Sequence, residues 1–267
     1  MGFRRKLRES VERNNSLLCI GLDPDPEKLP AGVTVAQFNR AIIAATSDLV
    51  CAYKPNLAFY EASGFDGLRA LEETVAAVPD GIPIIGDAKR GDIGNTARQY
   101  ARALYEWFKF DAATVSPYLG LDSVEPFISY ADKETFLLCR TSNPSARDFQ
   151  DLLIEGQPLY EHVAFKALEW NIHGNIGLVV GATYPQELAR IRQLCPAMPL
   201  LIPGVGTQRG DIEAVVRYGT DASSTNAIIN VSRAVLYASS ASDFAEAARN
   251  SAERLRAGIN AFRSPGE

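Results

Sequence analysis

Histidine is scarce in this sequence, which contains only His162 and His173 among its 267 residues. Neither histidine stands near a cysteine or a serine at a spacing that indicates a nucleophile with its general base. We therefore expect neither histidine-based catalysis nor a metal site rich in histidine.

Cysteine is sparse as well, and its spacing is wide. The four cysteines are Cys19, Cys51, Cys139 and Cys195. Their separations match no zinc-binding or redox motif, and three of them lie within apolar runs. We therefore expect reduced cysteines that form part of the core.

Long segments of uniform character are also missing. No apolar stretch approaches the length of a transmembrane helix, and no long run of one sign accompanies the net charge of −5. The basic residues 1–9 have no apolar segment after them, so we do not expect a signal peptide. These features predict a cytoplasmic protein that binds neither a membrane nor nucleic acid, so any bound phosphate must be held by a local site.

The chain alternates between short apolar runs and segments with helical periodicity. Eight runs are hydrophobic almost throughout, which is typical of strands covered on both faces: 17–23, 49–56, 83–89, 112–118, 135–143, 175–183, 200–206 and 227–233. Helical spacing marks the intervening residues 36–48, 66–77, 96–109, 160–171 and 186–194. Eight such units in about 250 residues predict an α/β fold, a closed (β/α)8 TIM barrel.

The competing architecture is an open, doubly wound sheet. Such sheets often carry a Gly-x-Gly-x-x-Gly motif after the first strand, whereas this chain reads Gly-Leu-Asp-Pro-Asp-Pro over residues 21–26. No linker or low-complexity segment divides the chain, so we expect one barrel domain over residues 1–267. A helix predicted over residues 3–13 is expected to cover the barrel bottom, and residues 241–262 to close the outer ring.

Three charged residues, Asp87, Lys89 and Asp92, crowd the end of the third apolar run. Asp87 and Lys89 are two positions apart, so in extended backbone they point to the same face. Burying such charges is costly unless they pair with each other or with a ligand. A surface ion pair, with Asp92 capping the next helix, would explain the same residues. The ends of the other runs favour an active site instead.

Polar residues also end five other runs, and barrel active sites are assembled from the carboxyl ends of several strands. These ends carry Asp23, Lys54, residues 140–143, residues 203–206 and residues 230–233. Lys54 lies in a buried strand and needs a carboxylate such as Asp87, unless its ammonium reaches the rim. Ser142 and Asn143 would either bond a polar heterocycle or shape a turn, and the local sequence does not separate these alternatives.

A glycine-rich segment, Pro203-Gly204-Val205-Gly206, ends the seventh run, and Arg233 ends the eighth. Glycine lets the backbone approach an anion closely, and the loops after strands seven and eight of barrels frequently bind phosphate. Arg233 would add a bidentate contact. An ordinary glycine-rich turn is the alternative. The loop and the arginine together favour a phosphate site, with residues 204–211 as its lid.

Taken together, these segments resemble the orotidine 5'-monophosphate decarboxylase family in its longer bacterial form. The resemblance rests on Asp-Ala-Lys-Arg-Gly-Asp-Ile-Gly-Asn-Thr at 87–96 and on residues 21–23, 53–56, 140–143, 203–206 with 208, and 232–233. It implies conversion of orotidine 5'-monophosphate to UMP and carbon dioxide in pyrimidine biosynthesis, without metal or cofactor. It also implies a homodimer whose active sites are shared between subunits.

The resemblance also implies a role for each residue that matches the family's motifs. Lys89 would be the proton donor, in a charge network with Lys54, Asp87 and Asp92, the last from the partner subunit. The substrate-binding set would be Asp23 and Thr96 on the ribose (Thr96 also from the partner), Ser142 on the pyrimidine, and Gln208, Arg233 and residues 203–206 on the phosphate. Arg209 departs from the pattern, since many members have glycine there.

Three other functions remain open at this point. A related barrel enzyme acting on a sugar phosphate would use the acidic residues to bind Mg²⁺. A Schiff-base aldolase would use Lys54 or Lys89 as its nucleophile. A catalytically silent nucleotide-binding protein would share the fold, although the intact set of lysines and aspartates disfavours it.

Overall fold

The structure, a computed structural model, describes residues 2–205 and 209–263. Its strands, in chain order, are β1 (Leu18–Leu22), β2 (Ala52–Pro55), β3 (Ile85–Arg90), β4 (Ala112–Val115), β5 (Glu134–Arg140), β6 (Leu153–Ile154), β7 (Gln157–Pro158), β8 (Ile176–Val180), β9 (Leu200–Pro203) and β10 (Ala227–Val231). Strands β6 and β7 form a short antiparallel hairpin outside the main sheet.

The other eight strands are parallel and lie in the order β2-β1-β10-β9-β8-β5-β4-β3. Single bridges from Tyr53 to Ile84 and from Asn56 to Asp87 join the two edge strands, so the sheet closes into a barrel. The predicted TIM barrel is confirmed, and each of the eight apolar runs overlaps one barrel strand, although β3 and β5 each extend one residue beyond their runs. Most runs extend past the strand because their last residues leave the ladder and enter the loops that form the barrel mouth.

Helices surround this barrel. They are α1 (Phe3–Asn14), α2 (Val35–Thr46), α3 (Leu57–Glu61), α4 (Gly64–Ala77), α5 (Gly94–Arg102), α6 (Leu121–Ile128), α7 (Leu159–Trp170), α8 (Pro185–Leu194), α9 (Arg209–Gly219), α10 (Arg233–Leu236) and α11 (Phe244–Asn260). Helix α5 continues directly into a π-helical turn, Ala103–Trp107. Short 3₁₀ turns cover Pro26–Lys28 and Pro144–Asp148.

The predicted helical segments correspond to α2, α4, α5 with its π-turn, α7 and α8. Four other helices were not predicted. Helices α3 and α10 are too short for a 3.6-residue period to appear, and Pro126 within α6 reads as a break because it lacks an amide hydrogen. Helix α9 begins inside the segment predicted as a lid.

Helix α1 closes the amino-terminal end of the barrel, as predicted. The guanidinium of Arg4 donates to both carboxylate oxygens of Glu134, the first residue of β5, at 2.8 and 3.0 Å. Lys6 pairs with Asp111, just before β4, at 2.7 Å. Because α1 covers this end, ligands have access to the barrel at the opposite, carboxyl end of its strands.

Helix α11 completes the outer layer against α2. The rings of Phe244 and Phe38 stack with centroids 5.1 Å apart, and Arg249 forms an ion pair with Asp48 at 2.7 Å. The four cysteines are buried and free, as expected. No helix in residues 2–205 and 209–263 is long and apolar enough to cross a membrane.

Candidate active site

Two lysines flank one carboxylate at the carboxyl end of β2 and β3. The Nζ atom of Lys54 lies 2.6 Å from Oδ2 of Asp87, and the Nζ atom of Lys89 lies 2.5 Å from Oδ1 of the same carboxylate. The side chains of Lys54 and Asp87 are 4% and 9% exposed, whereas that of Lys89 is 50% exposed. Lys89 is therefore the ammonium group that is open to a ligand at the mouth.

The segment of β3 that carries Asp87 and Lys89 pairs irregularly with β4. Gly86 pairs with Ala113 and Arg90 pairs with Val115, so four steps along β3 oppose two steps along β4. Within this bulge Lys89 adopts a φ of +46°, in the left-handed region that non-glycine residues rarely occupy. Such strain persists only where surrounding contacts hold it, and it is common at functional sites.

The charges in this cluster stabilise one another. Burial by itself would raise the pKa of Asp87, but the ammonium groups of Lys54 and Lys89 outweigh it and hold that pKa well below its usual range. Burial acts to lower the pKa of Lys54, but attraction to Asp87 and Asp23 outweighs it and raises that pKa above its usual value. At neutral pH, Asp87 is therefore a carboxylate and Lys54 an ammonium.

Asp23, directly after β1, has one carboxylate oxygen held and one free. Its Oδ2 accepts a hydrogen bond from the Ser232 hydroxyl at 2.7 Å, and its carbonyl accepts one from Tyr237 at 3.0 Å. Its Oδ1 is buried without a partner among the described residues. A buried carboxylate oxygen of this kind needs a donor, and a ligand hydroxyl would supply one.

A cavity of about 640 Å³ opens beside Asp23, at the ends of β1, β9 and β10. Its lining includes Asp23, Lys28, Gly204, Asn230, Arg233 and Tyr237. Lys28 is paired with Asp25 at 2.7 Å, whereas Arg233 is exposed and has no ion pair among the described residues. An exposed, unpaired guanidinium beside a deep cavity can bind a phosphate.

Ser142 lies at the same end, in the loop after β5. A Cβ atom built on Gly204 would come within 3.3 Å of the Ser142 hydroxyl, and Gly204 has a φ of +86° that favours glycine. Pro203 is the last residue of β9 and pairs with Asn230. Gly206 and Gln208, the other two predicted phosphate-binding residues, lie outside the described residues.

Asp92 and Thr96 do not join this cluster within the described chain. The Oδ1 atom of Asp92 accepts a hydrogen bond from the amide of Ile93 at 2.8 Å, and Thr96 is exposed on α5. Neither of them has an ion pair or hydrogen bond to Lys54, Asp87 or Lys89 in residues 2–205 and 209–263. One chain alone therefore brings together Lys54, Asp87 and Lys89, but not the whole predicted network.

Comparison with known proteins identifies the family of this chain. Residues 16–249 match the model of the Orotidine 5'-phosphate decarboxylase / HUMPS family. The chain belongs to this family. An orotidine 5'-phosphate decarboxylase of Dehalococcoides mccartyi is 53% identical over 267 residues, covering 98% of this chain and 99% of that protein. The protein of the same name from Herpetosiphon aurantiacus is 54% identical, covering 98% of this chain and all of that protein.

The fold matches a solved structure of the family. The OMP decarboxylase of Leishmania donovani has a TM-score of 0.88 and 42% identity, covering 98% of this chain and 99% of that one. The resemblance to the decarboxylase family that the motifs predicted is therefore confirmed over nearly the whole chain.

Two features of this family member were not predicted from its sequence. Ser232 and Tyr237 fix Asp23, and Thr114 of β4 contacts both Asp87 and Lys89. The signal for Thr114 was a hydroxyl between apolar residues in the first half of the run 112–118. No comparable signal marks Tyr237, because its contact with Asp23 depends on how the chain turns after β10.

Proposed function

We propose that this chain decarboxylates orotidine 5'-monophosphate to UMP and carbon dioxide in pyrimidine biosynthesis, without metal or cofactor and with Lys89 as the proton donor. The observation that carries this proposal is the alternating arrangement of Lys54, Asp87 and Lys89 at the barrel mouth, in a chain of the decarboxylase family. We also propose that residues 1–267 form one catalytic domain.

The reaction requires a positive charge beside the carbon that loses its carboxylate. Breaking the bond from C6 to the carboxylate leaves the electron pair on C6, where no adjacent π-acceptor can delocalise it. An ammonium held at C6 stabilises this charge and then delivers its proton to C6, and solvent restores the proton to the amine. Lys89 suits this role because its Nζ is anchored on Asp87 and its side chain is half exposed.

Asp87 has two proposed roles. Its negative charge orients the ammonium of Lys89, and its position near the leaving carboxylate would raise the energy of the bound substrate by repulsion. Raising the ground state in this way is a contested explanation, so we assign greater weight to the orientation of Lys89. Lys54, buried on the other oxygen of Asp87, keeps that carboxylate ionised and fixed.

The rest of the nucleotide would bind across the mouth. We assign the phosphate to Arg233 and the backbone of residues 203–206 with Gln208, the ribose to Asp23, and the pyrimidine to Ser142. The free Oδ1 of Asp23 supports the contact with a ribose hydroxyl. Phosphate contacts far from C6 would supply binding energy that helps to close residues 204–211 and exclude water.

We further propose a cytoplasmic homodimer in which Asp92 and Thr96 complete the partner's site. Neither residue has an ion pair or hydrogen bond to the cluster of its own chain among the described residues, and exposed apolar side chains follow β3 and the two strands beside it. Ile93 after β3, Tyr118 and Leu119 after β4, and Phe59 after β2 are 55%, 78%, 48% and 37% exposed. These residues follow three adjacent strands, so they lie at one side of the mouth, and an apolar patch of this kind marks an interface.

The test is the change in absorbance when the purified protein is mixed with orotidine 5'-monophosphate. We expect the wild type to turn over, and Lys89→Ala to lose about 10³-fold or more of kcat while keeping its circular dichroism. Lys166→Ala, which removes a lysine of similar exposure (57%) on the outer helix α7, is the matched control. Activity of Lys89→Ala within tenfold of wild type would remove Lys89 from its role.

Two further assays distinguish this function from the sugar-phosphate enzyme and the Schiff-base aldolase. A chelator should leave the activity unchanged, whereas loss of activity that is restored by Mg²⁺ would favour the sugar-phosphate enzyme. Borohydride should trap no substrate on lysine, whereas a trapped adduct would favour the aldolase. Binding of the nucleotide without turnover would favour the silent protein.

A further inference from the structure

Strand β4 places one polar side chain, Thr114, directly beneath the two catalytic charges. Thr114 is 1% exposed and stands between Ala113 and Val115, which are fully buried. Its Oγ1 accepts a hydrogen bond from the backbone amide of Lys89 at 2.9 Å and donates one to Oδ1 of Asp87 at 3.0 Å. A hydroxyl has a single hydrogen, so these two contacts together fix its direction.

The contact with Lys89 compensates for a gap in the strand ladder. Because the pairing between β3 and β4 skips from Gly86 to Arg90, Lys89 lies in the bulge and has no ladder pairing with β4. The hydroxyl of Thr114 supplies an acceptor for its amide at that position. Lys89 also has a φ of +46°, in the left-handed region that a non-glycine residue keeps only where surrounding contacts hold it.

The contact with Asp87 acts on the same ammonium from the other side. Oδ1 of Asp87 accepts from both Lys89 Nζ and Thr114, while Oδ2 accepts from Lys54. Thr114 therefore restrains both the backbone from which Lys89 projects and the carboxylate to which its Nζ is bonded. No other side chain in the described residues contacts both Asp87 and the amide of Lys89.

We infer that Thr114 is a positioning residue for the reaction: its hydroxyl holds the strained backbone of Lys89 and aims the ammonium at the reacting carbon. This inference rests on the proposed role of Lys89 as proton donor. Small displacements of a catalytic group reduce the rate strongly while substrate affinity is retained. Removing the hydroxyl should therefore affect kcat far more than KM.

The experiment compares Thr114→Val and Thr114→Ser. Valine keeps the shape but lacks the hydroxyl, so kcat should fall by about 10- to 100-fold while KM and the affinity for UMP stay within about threefold. Serine keeps the hydroxyl and should restore kcat to within about threefold of wild type. If the valine variant does not fold, Thr114→Ala replaces it. Alanine also lacks the hydroxyl but has a smaller side chain, and it should show the same fall in kcat.

Thr135→Val is the matched control. Thr135 is a fully buried threonine on the neighbouring strand β5, and its hydroxyl bonds Tyr105 rather than a group of the active site. This variant should lose stability in the same way as Thr114→Val but keep its kcat. Equal falls in kcat for both variants would assign the effect to packing and overturn the inference.

A readout that does not need turnover is hydrogen exchange at the amide of Lys89. Exchange should be faster in Thr114→Val than in the wild type and unchanged in Thr114→Ser, because only valine removes the acceptor. Unchanged exchange together with unchanged kcat in the valine variant would overturn the inference. Failure of the proposed function looks different, since it would appear as normal activity in Lys89→Ala or as a wild type that does not turn over.

Discussion

Replacing Asp87 with asparagine should reduce the stability of the fold as well as its activity. The substitution keeps the shape but removes the anion that lies 2.6 Å from Lys54 and 2.5 Å from Lys89. Lys54 is 4% exposed, so its ammonium would remain buried without its closest counterion. Breaking a buried ion pair in this way costs about 3–5 kcal/mol, and we expect the free energy of unfolding of Asp87→Asn to fall by that amount.

Two further variants test whether burial of the ion pair determines how much stability Asp87→Asn loses. Lys89→Met removes the other ammonium, but that side chain is 50% exposed and solvent screens the pair, so the loss should be only about 0–1 kcal/mol. The double variant Lys54→Met/Asp87→Leu removes both members of the buried pair and should be neutral or stabilising by about 1–4 kcal/mol. Urea unfolding followed by circular dichroism measures all three values.

The direction of each pKa shift determines whether stability falls at low or at high pH. The folded pKa of Asp87 lies below its unfolded value of about 3.9, so its contribution to stability is complete above that pH and is lost as the pH falls towards the folded pKa. The folded pKa of Lys54 lies above its unfolded value of about 10.4, so its contribution is lost as the pH rises above that value. Asp87→Asn should flatten the acid limb. A loss below about 1 kcal/mol for Asp87→Asn, or an unchanged acid limb, would refute this reasoning.

Two further predictions concern the phosphate and the dimer. Arg233→Ala should lower kcat/KM for orotidine 5'-monophosphate by about 100-fold, because a charge-assisted contact is lost, while Arg254→Ala on the exposed face of α11 should not. An equal loss with a substrate that lacks the phosphate would contradict that assignment. Mixing inactive Lys89→Ala with inactive Asp92→Ala should restore about a quarter of wild-type activity, because half of the dimers are hybrids with one intact site each. No recovery after verified subunit exchange would count against shared sites.

The barrel was predictable because its signals are local and repeated. Strands such as β1, β8 and β10 are wholly buried, so their runs stand out without knowledge of their neighbours. The bottom helix was predictable from its amphipathic pattern. The helical periodicity did not predict elements such as α6. Pro126 indicates a break in the sequence, although the helix includes it.

The candidate site was predictable in part. The two-residue spacing of Asp87 and Lys89 indicated a common face. The hydrogen bond from Lys89 Nζ to the Asp87 carboxylate agrees with that prediction. The bulge that contains both residues was not predictable, because it depends on the pairing of β3 with β4. Contacts between distant segments, such as Ser232 with Asp23 across 209 positions, have no local sequence signal either.

The buried cysteines make this protein a source of natural probes for local opening. Burial raises the pKa of Cys19 to about 12 and that of Cys195 to about 11, and it also raises those of Cys51 and Cys139. A thiol of this kind reacts with an alkylating reagent only when its segment opens. These thiols lie on β1, before β2, on β5 and after α8. Their separate alkylation rates would therefore show which parts of the barrel open locally, with no engineered label.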